Sequence, residues 1–466
     1  MKRKVNNLLA TDSRIQNHII GEVVAKEKQN MNTKILLRSL LLFFFCITKL
    51  NAQEVLTIEN AVKIALENNF EIKLAANNLD IVKTNVAIGN AGMLPKVTAS
   101  LVDANRIENS TQTLQNGTIN KLDNAKNNSL NYGVGLDWTV FDGFKMFARL
   151  DQLKELQKLG EAQLKGAIIL KISEVNAVYF DLVQQQQQLS ALDTTILISN
   201  QRLALAQNRF NIGKASKLEV LNAQVDINTD KVALLRQKES YANRKIILNQ
   251  ILARDSKVDF KVVDQVKVDS KLVLAELIAL SEKQNPQLES EIIKKRVSEL
   301  QLKQIKADRY PRINVTTGYN FLESESSLGF TSAFSSRGLS YGLRASLNVF
   351  DGFAQNRNEK IAKIQLENSK IAIEQQNLLL ISELSIAFQT YLTNLELIDL
   401  EETNEAIAQQ NLNITVDKFR IGTITTLEFR AAQLNYINSK VRYSNAQFQA
   451  KLSEIALREL AGNISF

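Results

Sequence analysis

The chain has 466 residues, a formal charge of +8, and 45% hydrophobic but only 6% aromatic residues. Three prolines and 17 glycines are too few to punctuate the two or three loop-rich domains usual at this length, so the composition favours long helices with wide contact surfaces. The first 52 residues hold nine of the 57 Lys and Arg and three of the 49 Asp and Glu; the 48 basic and 46 acidic residues that remain nearly balance, which excludes a basic nucleic-acid face.

Those 52 residues read as a leader. Met31 opens a basic stretch with Lys34 and Arg38, an apolar run follows from Leu40 to Ile47, and Leu50-Asn51-Ala52 precedes Gln53. This is the layout of a secretory signal peptide cleaved after Ala52, with an apolar run too short to span a bilayer. Residues 1–30 fall outside it. Phe43-Phe44-Phe45 before Cys46 argue against lipidation, which wants small residues there. The one His (His18) and the one Cys (Cys46) both lie in this segment. Beyond it there is no thiol nucleophile, imidazole base or disulfide, and no usual transition-metal ligand, so neither an enzyme nor a bound cofactor is expected.

From Thr57 to about Gly92 apolar residues recur at helical spacing, interrupted at Asn68-Asn69. Asn285-Pro286 stands at the matching point of a second copy, 216 residues on, where proline suits the first turn of a helix. Two helices are therefore expected to meet at each site. Pro95 and Pro311 end them and open strands near 95–105 and 311–321. Polar loops are expected near Asn116-Gly117 and over 323–336, followed by return strands near 129–141 and 339–350. In the first return strand Leu130, Tyr132, Val134, Leu136, Trp138 and Val140 alternate with Asn131, Gly133, Gly135, Asp137 and Thr139. Strands of 10 to 12 residues with aromatics on one face and small polar groups on the other suit a transmembrane barrel wall. A half-buried sheet in a soluble domain is the plainer reading, but no neighbouring sequence is suited to cover the apolar face. Four strands cannot close a barrel, which starts at about eight, so several chains must contribute.

Each return strand ends in the same four residues: Phe141-Asp142-Gly143-Phe144 and Phe350-Asp351-Gly352-Phe353, 209 apart. The 209 shift persists for more than 90 residues, through Phe210-Asn211-Ile212-Gly213 against Phe419-Arg420-Ile421-Gly422, and Leu218-Glu219 against Leu427-Glu428. This is a tandem duplication. The change from 216 to 209 places a seven-residue surplus between Pro95 and Tyr132. Proline-free helices are expected from Phe144 to about Asn211 and from Phe353 to about Arg420, each about 100 Å long at 1.5 Å per residue. Each stops at Ile-Gly, and the chain returns as helices near 216–253 and 425–460. Ser216 and Thr425 precede Glu219 and Glu428 by three residues, the spacing of a capping box. The run Gln184–Gln188 lies within the helical pattern and reads as a polar helix face. The chain thus divides into 1–52, a first repeat over 53–255 and a second over 256–466.

The order helix, strand, strand, long helix, glycine turn, helix, given twice behind a leader, resembles the TolC-like outer membrane efflux proteins. The resemblance covers about 54–465. It implies a mainly α fold with a membrane β-barrel, a homotrimer of twelve strands and twelve periplasmic helices, embedded in outer-membrane lipid. It also implies an exit duct for efflux or type I secretion, served by a periplasmic adaptor and an inner-membrane pump. Phe141, Asp142 and Gly143, with Phe350, Asp351 and Gly352, become the barrel-to-helix turns. Ile212, Gly213 and Lys214, with Ile421, Gly422 and Thr423, become adaptor-facing tips. Glu219 and Glu428 fall at the channel entrance, where six glutamates per trimer would favour cations; helix capping is the other reading of both. The sequence departs from some relatives in having Phe419 for a gate tyrosine, Ile424 for a basic gate residue and Ala431 for an acid, which points to apolar closure. No nucleotide-binding G-x-x-x-x-G-K-[ST] occurs, so conduction is expected to be passive. A trimeric coiled-coil adhesin would share the long helices without needing paired strands, and a periplasmic adaptor would show one hairpin rather than two.

Overall fold

The computed structural model describes residues 54–327 and 331–463. The expected leader, with Met31, Cys46 and Ala52, lies outside them. The first repeat runs β1 (Glu54–Leu56), α1 (Ile58–Asn68), α2 (Phe70–Asn85), β2 (Lys96–Thr113), β3 (Ile119–Phe141), α3 (Lys145–Asn211) and α4 (Lys217–Ile251). The second runs β4 (Phe260–Val262), α5 (Leu274–Gln284), α6 (Pro286–Ala307), β5 (Arg312–Ser326), β6 (Ala333–Ser346), α7 (Ala354–Ile421) and α8 (Thr426–Leu460). β1 and β4 pair in a two-stranded ribbon; the other four strands form one antiparallel sheet in the order β2-β3-β5-β6.

Asn69 and Asn285 explain the paired helices. Asn69 Oδ1 accepts from the backbone N–H groups of Glu71 (2.9 Å) and Ile72 (3.3 Å), capping α2. Its Nδ2 donates to the Ile251 carbonyl at 2.7 Å, tying the junction to the end of α4. Asn285 repeats this for α6, accepting from Gln287 and Leu288 and donating to Leu460 O at 2.9 Å. One residue type, 216 positions apart, thus fixes each helix corner to the end of its own repeat's return helix.

The long helices pack as hairpins, α3 with α4 and α7 with α8, and α8 also lies along α3. α6 packs against both α3 and α7, whereas α2 packs against α3. Leu277, Leu288, Leu380, Leu384, Tyr391 and Leu457 form a core where α5 to α8 meet; each buried leucine there contributes about 1.5–3 kcal/mol. Gln184 and Gln185 are buried, and the Gln184 amide donates to Asn445 on α8. The glutamine run is thus a polar face within the helix, as expected, and it is turned toward α8 as an interhelical amide seam.

The sheet departs from expectation at its ends. Strand pairing continues to Ser326 and resumes at Ala333, so most of the 323–336 segment expected to be loop is ladder. β2 and β3 are longer still, at 18 and 23 residues, with Gly117 (φ 83°) in the turn. The seven-residue surplus lengthens this hairpin. Its ladder slips between Glu108 and Ser110 beside Asn124, a left-handed residue at φ 56°. β6 stops at Ser346, short of the expected 350. Its one partner among the described residues, β5, begins just after Pro311, which has no N–H to offer. The equivalent end of β3 persists because Trp138 and Phe141 pair with Val315 and Ile313.

Candidate functional site

Two places concentrate the repeated motifs: the sheet with its exit turns, and the hairpin tips. Across the ladder, antiparallel partners share a face. Leu101, Tyr132, Phe321 and Arg337 lie in one row, and Ala99, Val134, Tyr319 and Leu339 in another. Tyr132 stacks on Phe321 with centroids 4.9 Å apart, and Tyr319 meets Phe321 edge-on. This face remains open: Leu101, Val97 and Leu343 are each more than 60% exposed. The opposite face carries Thr98, Gly135, Gly318 and Ser340 in one row. At Gly133 a Cβ would come within 2.4 Å of Asn320 Oδ1 and 2.5 Å of the Tyr319 carbonyl, so only glycine fits.

The Phe-Asp-Gly-Phe turns reverse the chain from sheet to helix with two successive left-handed residues. Gly143 and Phe144 have φ of 70° and 68°, and Gly352 and Phe353 have 67° and 65°. Left-handed backbone is unusual for a bulky residue. The aspartate makes it tenable: Asp142 accepts from the Met146 N–H at 3.0 Å, and Asp351 from the Gln355 N–H at 2.8 Å, capping α3 and α7 from two residues upstream of the cap position. The phenylalanines pair edge-on, Phe141 with Phe144 and Phe350 with Phe353, both at 5.4 Å. Phe144 and Phe353 stay exposed, and Trp138 donates to the Met93 carbonyl at 2.9 Å close by. Aromatics gathered at one rim of a sheet with an apolar face match a membrane–water boundary.

At the tips, Gly213 (φ 73°) and Gly422 (φ 86°) supply the left-handed residue that ends each long helix. Lys214 N–H donates to Arg209 O (2.7 Å) and Thr423 N–H to Lys418 O (3.0 Å), closing the last turns. Ile212 and Ile421 project, at 67% and 75% exposed, while Ile424 is half-buried. The two glutamates differ. Glu428 closes a full capping box, its carboxylate accepting from the Thr425 N–H (2.8 Å) and hydroxyl (3.0 Å). Those bonds, backbone first, hold its carboxyl below the ordinary glutamate value. Glu219 receives only half a box, its N–H donating to Ser216 Oγ, and its carboxylate turns to Arg209 at 3.6 Å.

Phe419 is buried between rings and cations. Its ring lies 4.9 Å from Phe429, with Arg209 over it and Arg202 over Phe429, both at 5.7 Å. Higher up, Arg430 of α8 reaches across to Asp230 of α4 through both terminal guanidinium nitrogens, at 2.7 and 2.9 Å. Arg202 bonds Asp226 at 2.7 Å, Ser199 bonds Asp230 at 2.6 Å, and Gln433 donates to Ser199 at 2.8 Å. Sequence reading missed this group. Asp226 and Asp230 are visible as an i,i+4 pair, but their partners lie on α3 and on the other repeat, which only the packing reveals. Among the described residues no cluster of three His, Cys, Asp or Glu is placed to hold a metal.

The model of the outer membrane efflux protein family matches residues 61–254 and 277–463, one stretch per repeat. The chain belongs to this family: it is a TolC-like outer membrane protein, and the family's members are channel proteins rather than enzymes. Protein CyaE of Bordetella pertussis is 23% identical over 260 residues, covering 55% of this chain and 54% of that protein, so the match spans about half of that relative's length. Among solved structures the chain is similar to the CmeC outer membrane channel of Campylobacter jejuni (17% identity, TM-score 0.73, 87% of this chain and 85% of that one). It is similar too to VceC of Vibrio cholerae (15%, 0.69, 87% and 96%) and to the open state of the MtrE outer membrane channel of Neisseria gonorrhoeae (15%, 0.69, 87% and 89%). At these identities the likeness is one of fold.

Proposed function

We propose that this chain is the exit duct of a tripartite efflux or type I secretion assembly. Three copies close a twelve-strand barrel in the outer membrane and a twelve-helix tunnel reaching into the periplasm. The tips meet a periplasmic adaptor through Ile212, Gly213, Lys214, Ile421, Gly422 and Thr423. An inner-membrane pump supplies the energy. The observation that carries this reading is the open sheet: β2 and β6 each pair on one side only among the described residues, and one sheet face is apolar and bare. In a bilayer, unpaired strand edges leave costly unsatisfied N–H and C=O groups, so other copies must close them. The duplication says how. β3 pairs with β5 within the chain, and the same shifts map that pair onto β6 of one copy and β2 of the next. The neighbour's β2 would also extend β6 through 347–350. α7 holds a stretch apolar enough by composition to cross a membrane, with Leu378, Leu379 and Ile386 exposed; in the assembly neighbouring helices cover it. Extraction from outer membranes should require detergent, and light scattering of the purified complex should give three chain masses. A monodisperse single chain, or solubility without detergent, would overturn the proposal.

A further inference from the structure

The duplication allows a comparison that one copy alone would hide. Near the tips, the first-repeat hairpin (α3, α4) meets the second-repeat hairpin (α7, α8) through Arg430 on Asp230 and Asp226 and Gln433 on Ser199, while Arg202 holds Asp226 from within the first hairpin. Shifted by 209 residues, the same joint would lie between α7 and α8 of one copy and α3 and α4 of the next. Arg430 maps to Leu221 and Gln433 to Gln224; Asp226 and Asp230 map to Asn435 and Ser439; Arg202 maps to Asn411.

Burial follows that mapping at all but one position. Gln433 and Arg202 are buried and Arg430 is largely covered, whereas Gln224, Asn411 and Leu221 are exposed; Ser439, like its counterpart Asp230, is already buried within the chain. Likewise Phe419 is 2% exposed under Arg209, while its counterpart Phe210 is 37% exposed and the counterpart of Arg209, Lys418, is bare. The first repeat thus presents, uncovered, the surface that the second repeat buries, and the second presents the matching receptor. The chemistry is not kept. Every charge of the in-chain ion network becomes an amide, a hydroxyl or a leucine.

We propose that this bare surface of α3 and α4, centred on Leu221 and Gln224, docks on Asn411 and Asn435 of a second copy of this chain, and that these between-copy joints are where the tip opens. The inference rests on the trimeric reading above. Breaking the in-chain joint would strand buried Asp230 without its cation, a cost that the between-copy joint, free of buried charge, does not carry. The tip therefore moves as three rigid four-helix units separated by three compliant seams, not as six equal hairpins.

The test uses the full chain with C46A and the pair L221C and N435C, joined by a short bis-methanethiosulfonate spacer. Linked dimers and trimers on a non-reducing gel, with loss of open-state conductance that returns on reduction, are the expected result. A trimer that reacts at both cysteines but yields no linked species overturns the docking surface while leaving the trimer intact. A single-chain particle overturns both. Linkage without loss of conductance overturns the opening seam. A second variant guards against misfolding: L221R with N435D, both at exposed positions, moves a bridge of the ion network into the between-copy joint and should lower the open-state fraction. An unchanged or raised fraction contradicts the proposal.

Discussion

Gly143 and Gly352 occupy the same place in the duplicated turn and have nearly the same backbone, yet their surroundings differ. A Cβ on Gly143 would lie 2.4 Å from the Ala307 carbonyl, whereas around Gly352 nothing lies within 4 Å. In the trimer proposed above, the shift that relates the repeats would put Ala91 and Leu94 of a neighbouring copy in the space that Ala307 and Tyr310 fill at Gly143. Both Gly→Ala changes carry the left-handed penalty, about 1–2 kcal/mol. G143A adds a backbone collision within one chain and should lower the recovery of folded protein. G352A should leave the chain folded and raise the monomer fraction, read by size exclusion in detergent. Equal effects on folding and assembly would contradict the assignment. The motif itself was plain in the sequence. That its aspartate caps the helix from two residues further upstream was not, because two consecutive left-handed residues cannot be anticipated for a Gly-Phe pair.

Among the elements, the return helices show how one sequence signal can end in two roles. Ser216/Glu219 and Thr425/Glu428 have identical spacing, but only the second closes a full capping box; Glu219 is drawn away by Arg209. The lowered Glu428 carboxyl means that its support of the α8 start is complete above the unfolded glutamate value and is lost as pH falls through the depressed one. Acidification should therefore raise hydrogen exchange at the first turn of α8 before that of α4; the reverse order would contradict it. By the same geometry E428Q should reduce cation selectivity in planar bilayers more than E219Q, since the Glu219 charge is already paired with Arg209. Equal and negligible changes would leave both as caps. The long helices, both glycine tips and the sheet faces were legible because each rests on local periodicity and turn residues. The end of β6 was not legible, since it depends on Pro311 of the strand beside it. The Arg430–Asp230 bridge was equally hidden, since it joins residues 200 apart.

For the whole molecule, duplication is the governing fact. On the trimeric reading proposed above, each in-chain contact between repeats is a template for a contact between copies, which would complete the sheet edge, helix face and tip surface of a single chain. The family membership and the fold support that reading. The most direct measurement is single-channel recording of the protein beginning at Gln53, purified in detergent and reconstituted in a planar bilayer. The account predicts small, long-lived, cation-selective openings that grow when the tips around 212–219 and 421–428 are loosened. A well-inserted trimer that conducts nothing, before and after loosening, would contradict it.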